Sequence, residues 1–151
     1  MSAQTSYSIN LAVALPGMIA DLSNSDIISR SVETVVGIDF AVAVSRGTNA
    51  DRQIVLGGDN TFLGVTVRST DIEGTSNGTI LYGENDTAGV MRKGYIWAIC
   101  PTGCVPGNIV NYNDTTGILD SGAAANGETD IEGATWETTT SAGQLAILRL
   151  S

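Results

Sequence analysis

Apolar residues in this chain recur in short runs, and turn-forming residues separate one run from the next. The clearest run is residues 62–68, where Leu63, Val65 and Val67 alternate with smaller or polar residues. A period of two places such residues on one face of a β-strand. Roughly nine to eleven runs of this kind, with Gly-rich turns and no long amphipathic helix pattern, predict an all-β sandwich or barrel.

Residues 89–113 form the stretch around which we expect the fold to be organised. Residues 95–100 read as a strand whose two faces are both apolar. One face carries Tyr95, Trp97 and Ile99, and the other carries Ile96, Ala98 and Cys100. A strand of this type is buried on both sides, in the middle of a sheet or between two layers.

Turn signals predict how several runs connect. Residues 113–117 have hairpin-type turn chemistry, so we expect residues 110–112 to pair with residues 118–119. A strand around Trp136 is expected to join a closing strand at 145–150 through the turn at 141–143. We predict that residues 21–26 form a turn between two runs, that residues 40–44 form a strand, and that residues 120–130 form an exposed loop.

The first residues of the chain differ from the rest. Residues 1–10 are polar and carry no charged side chain, which predicts an extended N-terminal arm. We therefore divide the chain into an arm at 1–14 and a single β domain at 15–151. A chain of 151 residues is long enough to bury a core without disulfides or metals.

The charge balance limits the partners. Sixteen acidic residues against seven basic ones give a net charge of -9, and the basic residues are scattered. This argues against direct nucleic-acid binding, which needs a basic stripe. A surface of one sign favours a more basic partner, or it serves only to keep the protein in solution. No apolar run reaches the length of a membrane span, and no signal peptide is visible at the start.

The residue types in this chain also exclude several kinds of catalytic and metal site. The chain has no histidine, which excludes Ser-His-Asp and Cys-His catalysis and the commonest metal ligand. Asp86-Thr-Ala-Gly89 and Asp114-Thr-Thr-Gly117 are imperfect versions of the aspartic protease motif and fit β-turns better. We expect buried thiols at Cys100 and Cys104. The sequence predicts no enzyme, no cofactor and no metal site.

Two basic residues are adjacent in this acidic chain. Arg92 and Lys93 are the only adjacent cations, and they lie at the start of the central strand. Together with Arg68 they would form a patch for an acidic neighbouring surface, or they lie solvated at a strand end.

Several segments occur in an order that resembles a known family. They are LPGMIAD at 15–21, DIISR at 26–30, FLGVTVR at 62–68, GVMRKGYIW at 89–97, GATW at 133–136 and LAILRL at 145–150. Over residues 15–150 the chain resembles the structural cement, or head-decoration, proteins of tailed bacteriophages. Where that family usually has a Phe-Gly segment, this chain has Phe40-Ala41.

The resemblance implies a non-enzymatic protein with a jelly-roll-type β-sandwich or barrel. It implies binding to the outer surface of the icosahedral head, where the protein bridges major capsid protein subunits and stabilises the expanded shell. Homodimers or homotrimers, synthesis in the host cytoplasm and a final location in the virion follow from the same resemblance. An extended arm is suited to adding a strand to a capsid-protein sheet edge. The residues assigned to capsid contact are Ser2, Gln4, Tyr7, Ile9, Arg68, Arg92 and Lys93.

A competing interpretation is a carbohydrate- or host-surface-binding β module. Such a module needs exposed Trp or Tyr with Asp and Asn on loops. Here Phe62, Tyr95, Trp97 and Trp136 lie inside apolar strand patterns, so they are assigned to the core, with an oligomer interface as the alternative.

Overall fold

The computed structural model describes residues 13–58, 61–72 and 78–151, and the regular structure in these ranges is β-strand. The strands are β1 Ile19–Val32, β2 Ala43–Arg46, β3 Gln53–Leu56, β4 Phe62–Thr66, β5 Thr87–Cys100, β6 Ile109–Asn113, β7 Leu119–Ser121, β8 Glu128–Trp136 and β9 Gln144–Leu150. They form one mixed nine-stranded sheet. The predicted all-β class is confirmed, and residues 1–12 of the predicted arm lie outside the described residues.

Five strands pair in a closed circuit. The order runs β1, β3, β2, β4 and β5, and β5 pairs back with β1. Beyond β5 the sheet continues through β9, β8 and β6 to β7. Within the circuit β1 and β3 are parallel, whereas the other pairs are antiparallel. Strand β5 therefore has the central position that the sequence predicted, because it belongs to both halves of the sheet.

Two hydrophobic cores lie on opposite sides of a wall made by β2, β4 and β5. Val44 and Val90 belong to the core inside the circuit. Their chain neighbours Ala43 and Met91 belong to the second core, which the strands β6 to β9 complete. Successive side chains of a strand point to opposite faces, so one wall supplies both cores. Trp136, fully buried, is the largest side chain of the second core.

The hairpin predictions are confirmed. Tyr112 of β6 lies opposite Leu119 of β7, and Trp136 of β8 lies opposite Leu148 of β9. The prediction of a loop over residues 120–130 is wrong at both ends, since β7 and β8 extend into it. The Asp120 carboxylate accepts hydrogen bonds from Thr102 and from its own neighbour Ser121, which holds it in the sheet.

Two other boundaries differ from the predictions. β2 begins only at Ala43, because Ala41 has a φ of 59°, a left-handed conformation that interrupts an extended strand. Residues 21–26 do not end a strand but form an irregularity inside β1. Asp21 lies opposite Tyr95 and Asp26 opposite Lys93, so residues 22–25 are opposed only by Gly94. The predicted turn-type hydrogen bonds are present in this segment. The residues of β1 on either side of it remain paired with β5.

The prediction that residues 95–100 are buried on both faces is wrong for one face. Ile96, Ala98 and Cys100 are fully buried, whereas Ile99 is 43% exposed and Tyr95 and Trp97 are half-buried. The core inside the circuit includes Ala88 and Val90 of β5 and no later residue of that strand. The face with Tyr95, Trp97 and Ile99 therefore lies beyond the end of that core.

Candidate functional site

The residues assigned to capsid contact are divided between described and undescribed parts of the chain. Ser2, Gln4, Tyr7 and Ile9 lie outside the described residues. Arg68, Arg92 and Lys93 are described, and each has different surroundings.

Arg68 lies at an apolar groove. Its guanidinium carbon is 4.8 Å from the centroid of the Phe40 ring, and Nη1 is 3.5 Å from the carbonyl oxygen of Pro16. A cation over an aromatic face contributes about 0.5–1 kcal/mol at an exposed site. The groove has a volume of about 430 Å³, and its lining includes the exposed side chains of Ile80, Ile99 and Ile118. Arg68 therefore forms a polar part of an otherwise mostly apolar depression.

Arg92 is paired with an acidic residue of the neighbouring strand. Its Nη2 lies 2.5 Å from Oδ2 of Asp26, and the two side chains are 42% and 45% exposed. An ion pair of this exposure contributes about 0–1 kcal/mol. Arg92 also lines a cavity of about 410 Å³ together with Asp130 and Glu132. Its charge is thus largely matched by the chain itself.

Lys93 lines a small cavity, which we call the Lys93 cavity. Its lining residues are Asn24, Lys93, Gly94, Tyr95, Arg149, Leu150 and Ser151, and its volume is about 160 Å³. The pairing of β5 with β9 places Arg149 opposite Tyr95, and both Lys93 and Arg149 are exposed. Two cations therefore meet around one cavity.

The structure places Arg68, Arg92 and Lys93 at three different cavities. Arg68 and Lys93 line separate cavities, and Lys93 shares its cavity with Arg149 instead. Arg149 was missed because the sequence shows no reason to bring the closing strand beside the central one. The apolar alternation of 145–150 predicts a strand, but its neighbour is decided by the sheet order.

An exposed leucine lies two residues before Asn24 along β1. Leu22 is 73% exposed, in the irregular part of β1 that also contributes Asn24 to the cavity lining. The only signal in the sequence is a single leucine within a polar segment, which does not distinguish an exposed position from a buried one.

The described acidic residues and thiols bear on metal and nucleophile chemistry. Within residues 13–58, 61–72 and 78–151, no group of three or more His, Cys, Asp or Glu side chains is placed to hold a metal ion. Cys100 and Cys104 are buried free thiols, as predicted, and burial raises the pKa of the Cys100 thiol above its usual value. A thiol that holds its proton is a poor nucleophile. No helix in the described ranges is long and apolar enough to cross a membrane.

Comparisons with known proteins agree with the resemblance seen in the sequence. A family model described as structural cement protein (E217 gp24/Pam3 gp6) matches residues 3–151. The fold is similar to that of a chain from the capsid of Myoviridae phage XM1, with a TM-score of 0.78 and 13% identity over 100% of this chain and 98% of that chain. No curated protein matches. Because the family model spans nearly the whole chain, this protein belongs to the phage structural cement protein family and is a capsid-associated structural protein of the virion.

Proposed function

We propose that this protein binds the outer surface of the icosahedral phage head and bridges major capsid protein subunits, which stabilises the expanded shell. Membership of the structural cement family over residues 3–151 is the observation that carries the proposal. The role is structural and not enzymatic. The protein is made in the host cytoplasm, acts as a homodimer or homotrimer, and its sheet follows a jelly-roll-type sandwich or barrel plan.

Exposed apolar side chains occur on several parts of the fold, which supports contact with more than one neighbouring protein subunit. Val35 and Val36 are 75% and 79% exposed at one turn, Leu22 is 73% exposed in β1, and Ile109 is 51% exposed at the start of β6. Side chains of this kind lose unfavourable contact with water when a partner covers them. An oligomer that touches several shell subunits needs only weak individual contacts, since each contact raises the effective concentration for the next.

The N-terminal arm, residues 1–14, is the second part of the proposal. It adds a strand to the edge of a capsid-protein sheet, with Ser2, Gln4, Tyr7 and Ile9 among its contact residues. Main-chain hydrogen bonds supply affinity in this mode without a charged motif, which suits an uncharged segment.

The test uses expanded heads that lack this protein. Purified tagged protein is added, and the heads are imaged by electron cryomicroscopy and then heated or treated with a chelator. Ordered density over the junctions between shell subunits, on heads that survive the treatment better, is the expected result. Protein that stays free, with no ordered density, rejects the proposal. A variant lacking residues 2–10 is expected to occupy few or no sites, and unchanged occupancy would reject the arm contact alone.

The carbohydrate-binding alternative finds little support in the aromatic residues. Trp136 is fully buried and Trp97 is half-buried, so Trp136 has no face free for a sugar ring. Screening of glycans is therefore reserved for the case in which the protein fails to bind heads.

A further inference from the structure

We propose that the Lys93 cavity receives a carboxylate side chain from an acidic segment of the capsid shell, with Leu22 as the apolar contact beside it. The identity of the partner rests on the proposed function. The chemistry of the cavity rests only on the residues around it.

Neither cation of the cavity forms an ion pair with a described residue. Arg92 with Asp26 is the one ion pair found in residues 13–58, 61–72 and 78–151. Asp26 lies opposite Lys93 in the sheet, but its carboxylate binds Arg92. Asp21, the other β1 acid near the cavity, accepts the backbone N–H of Ser23 at 2.7 Å. Two cations without an ion-pair partner among the described residues thus line one cavity, on a chain whose net charge is -9.

The size and donors of the cavity suit a carboxylate. A volume of about 160 Å³ is roughly that of five water molecules in the liquid. The Lys93 ammonium supplies a compact charge, and the Arg149 guanidinium supplies a planar set of donors that fits two carboxylate oxygens. Hydrogen bonds between ionised groups are roughly twice as strong as those between neutral groups.

The irregular part of β1 forms one wall of this cavity through Asn24. Gly94 has a φ of 128°, and a Cβ atom there would lie 3.2 Å from Cα of Ser25. Glycine therefore allows residues 22–25 to pack directly onto β5, which places Asn24 in the cavity wall. The Ser25 hydroxyl donates to the carbonyl of Leu22 at 3.1 Å. These contacts fix the backbone at Leu22 before a partner arrives, which lowers the entropy lost on binding.

The charges favour a different protein over a second copy of this chain as the occupant. Two copies related by a two-fold axis at this cavity would bring Lys93 and Arg149 against the same cations of the other copy. Like charges in direct contact are unfavourable. Salt weakens the effect of distant charges beyond about 8 Å at physiological ionic strength, so the charges nearest the cavity have the largest effect on an acidic segment that enters it.

The first test examines the cavity without any capsid. An acetylated hexaglutamate peptide is titrated into the isotope-labelled protein and followed by NMR, with a hexaglutamine peptide as the control. We expect saturable shifts confined to the amides of Lys93, Gly94, Tyr95 and Arg149 with the glutamate peptide only. The double variant Lys93→Gln/Arg149→Gln is expected to weaken this binding at least tenfold. Absence of localised shifts in the wild type, or equal shifts in the double variant, would overturn the proposal.

The second test asks whether the shell is the partner. The control variant is Arg46→Gln/Arg52→Gln, which removes two exposed cations and so changes the net charge equally. Affinity for expanded heads is expected to fall at least tenfold for Lys93→Gln/Arg149→Gln and less than twofold for the control. Leu22→Ala is expected to weaken binding more than Val105→Ala, which truncates another exposed apolar side chain.

The two failures can be told apart. If the wild type binds heads and both double variants bind equally well, the proposed function stands and the carboxylate contact with the shell is wrong. If the wild type does not bind heads, the proposed function is wrong, and the peptide titration still decides whether the cavity binds carboxylates.

Discussion

The hydroxyl of Tyr112 donates a hydrogen bond of 2.6 Å to the carbonyl oxygen of Gly58, which links β6 to the segment after β3. The backbone N–H of Gly58 in turn donates to the carbonyl of Asp114 at 2.7 Å. These bonds join the closed circuit of strands to the strands that cover the second core. Tyr112 is fully buried, so its ring and its hydroxyl serve both halves of the sheet.

Replacing Tyr112 by Phe removes this hydroxyl while keeping the ring. The Gly58 carbonyl retains the Ser45 hydroxyl as a weaker partner at 3.3 Å, so it is not left unsatisfied. We expect the free energy of unfolding to fall by about 1 kcal/mol, the usual net value of one hydrogen bond. Urea denaturation measures the change. Tyr95→Phe, at a half-buried position, is the control and is expected to stay within about 0.5 kcal/mol of the wild type.

Glycine at position 64 is required by the close approach of β4 to β5. A Cβ atom on Gly64 would lie 2.3 Å from the carbonyl oxygen of Met91, and backbone atoms in a sheet cannot move aside cheaply. We expect Gly64→Ala to destabilise the protein by at least about 2 kcal/mol, or to prevent folding. At Gly89 the nearest atoms to a Cβ are 3.7 and 3.8 Å away, so Gly89→Ala is the matched control. Equal melting temperatures for the two variants would contradict this account of the sheet.

The two tryptophans are expected to report different surroundings. Trp136 is fully buried and its Nε1 donates to the carbonyl of Asp120 at 3.2 Å, whereas Trp97 is half-buried. In Trp97→Phe the remaining emission comes from Trp136, so we expect it to lie at shorter wavelength and to resist quenching by acrylamide. In Trp136→Phe the emission of Trp97 is expected at longer wavelength with stronger quenching. The opposite order would mean that the second core is assigned to the wrong residues.

Stability is expected to decrease in alkaline solution partly because of one thiol. Burial raises the pKa of Cys100 in the folded protein. In the unfolded chain the thiol loses its proton near pH 8.5, so above that pH the folded state binds more protons than the unfolded state. The stabilisation that the protonated Cys100 thiol gives to the folded state is therefore complete at neutral pH and is lost as the pH rises. Urea denaturation at about pH 7 and pH 9.5 should show a smaller decrease for Cys100→Ala than for the wild type, and equal decreases would contradict it.

Several features followed from the sequence because they depend on neighbours along the chain. The alternation of apolar residues specified strands, and the turn at residues 113–117 specified the pairing of Tyr112 with Leu119. A hairpin needs only a turn and two flanking runs, so local chemistry determines it. The segments shared with the structural cement family, and so the family itself, were also readable directly from the residues.

Burial and the grouping of charges depended on contacts between distant segments. The alternation at residues 95–100 is apolar on both faces, yet Ile99 is exposed because the core inside the circuit ends before it. Residues 21–26 have turn chemistry, yet they remain within β1 because β5 pairs on both sides of them.

The residues predicted to contact the capsid show the same division between local and long-range effects. Sequence identified Arg92 and Lys93 as adjacent cations, but their roles separate because Asp26 neutralises one of them and Arg149 joins the other. Local chemistry therefore determined that this chain folds as strands, and the resemblance of its segments to a known family indicated the cement proteins. The order of the strands in the sheet decided which side chains meet, since pairing between distant segments depends on how the whole chain buries its apolar surface.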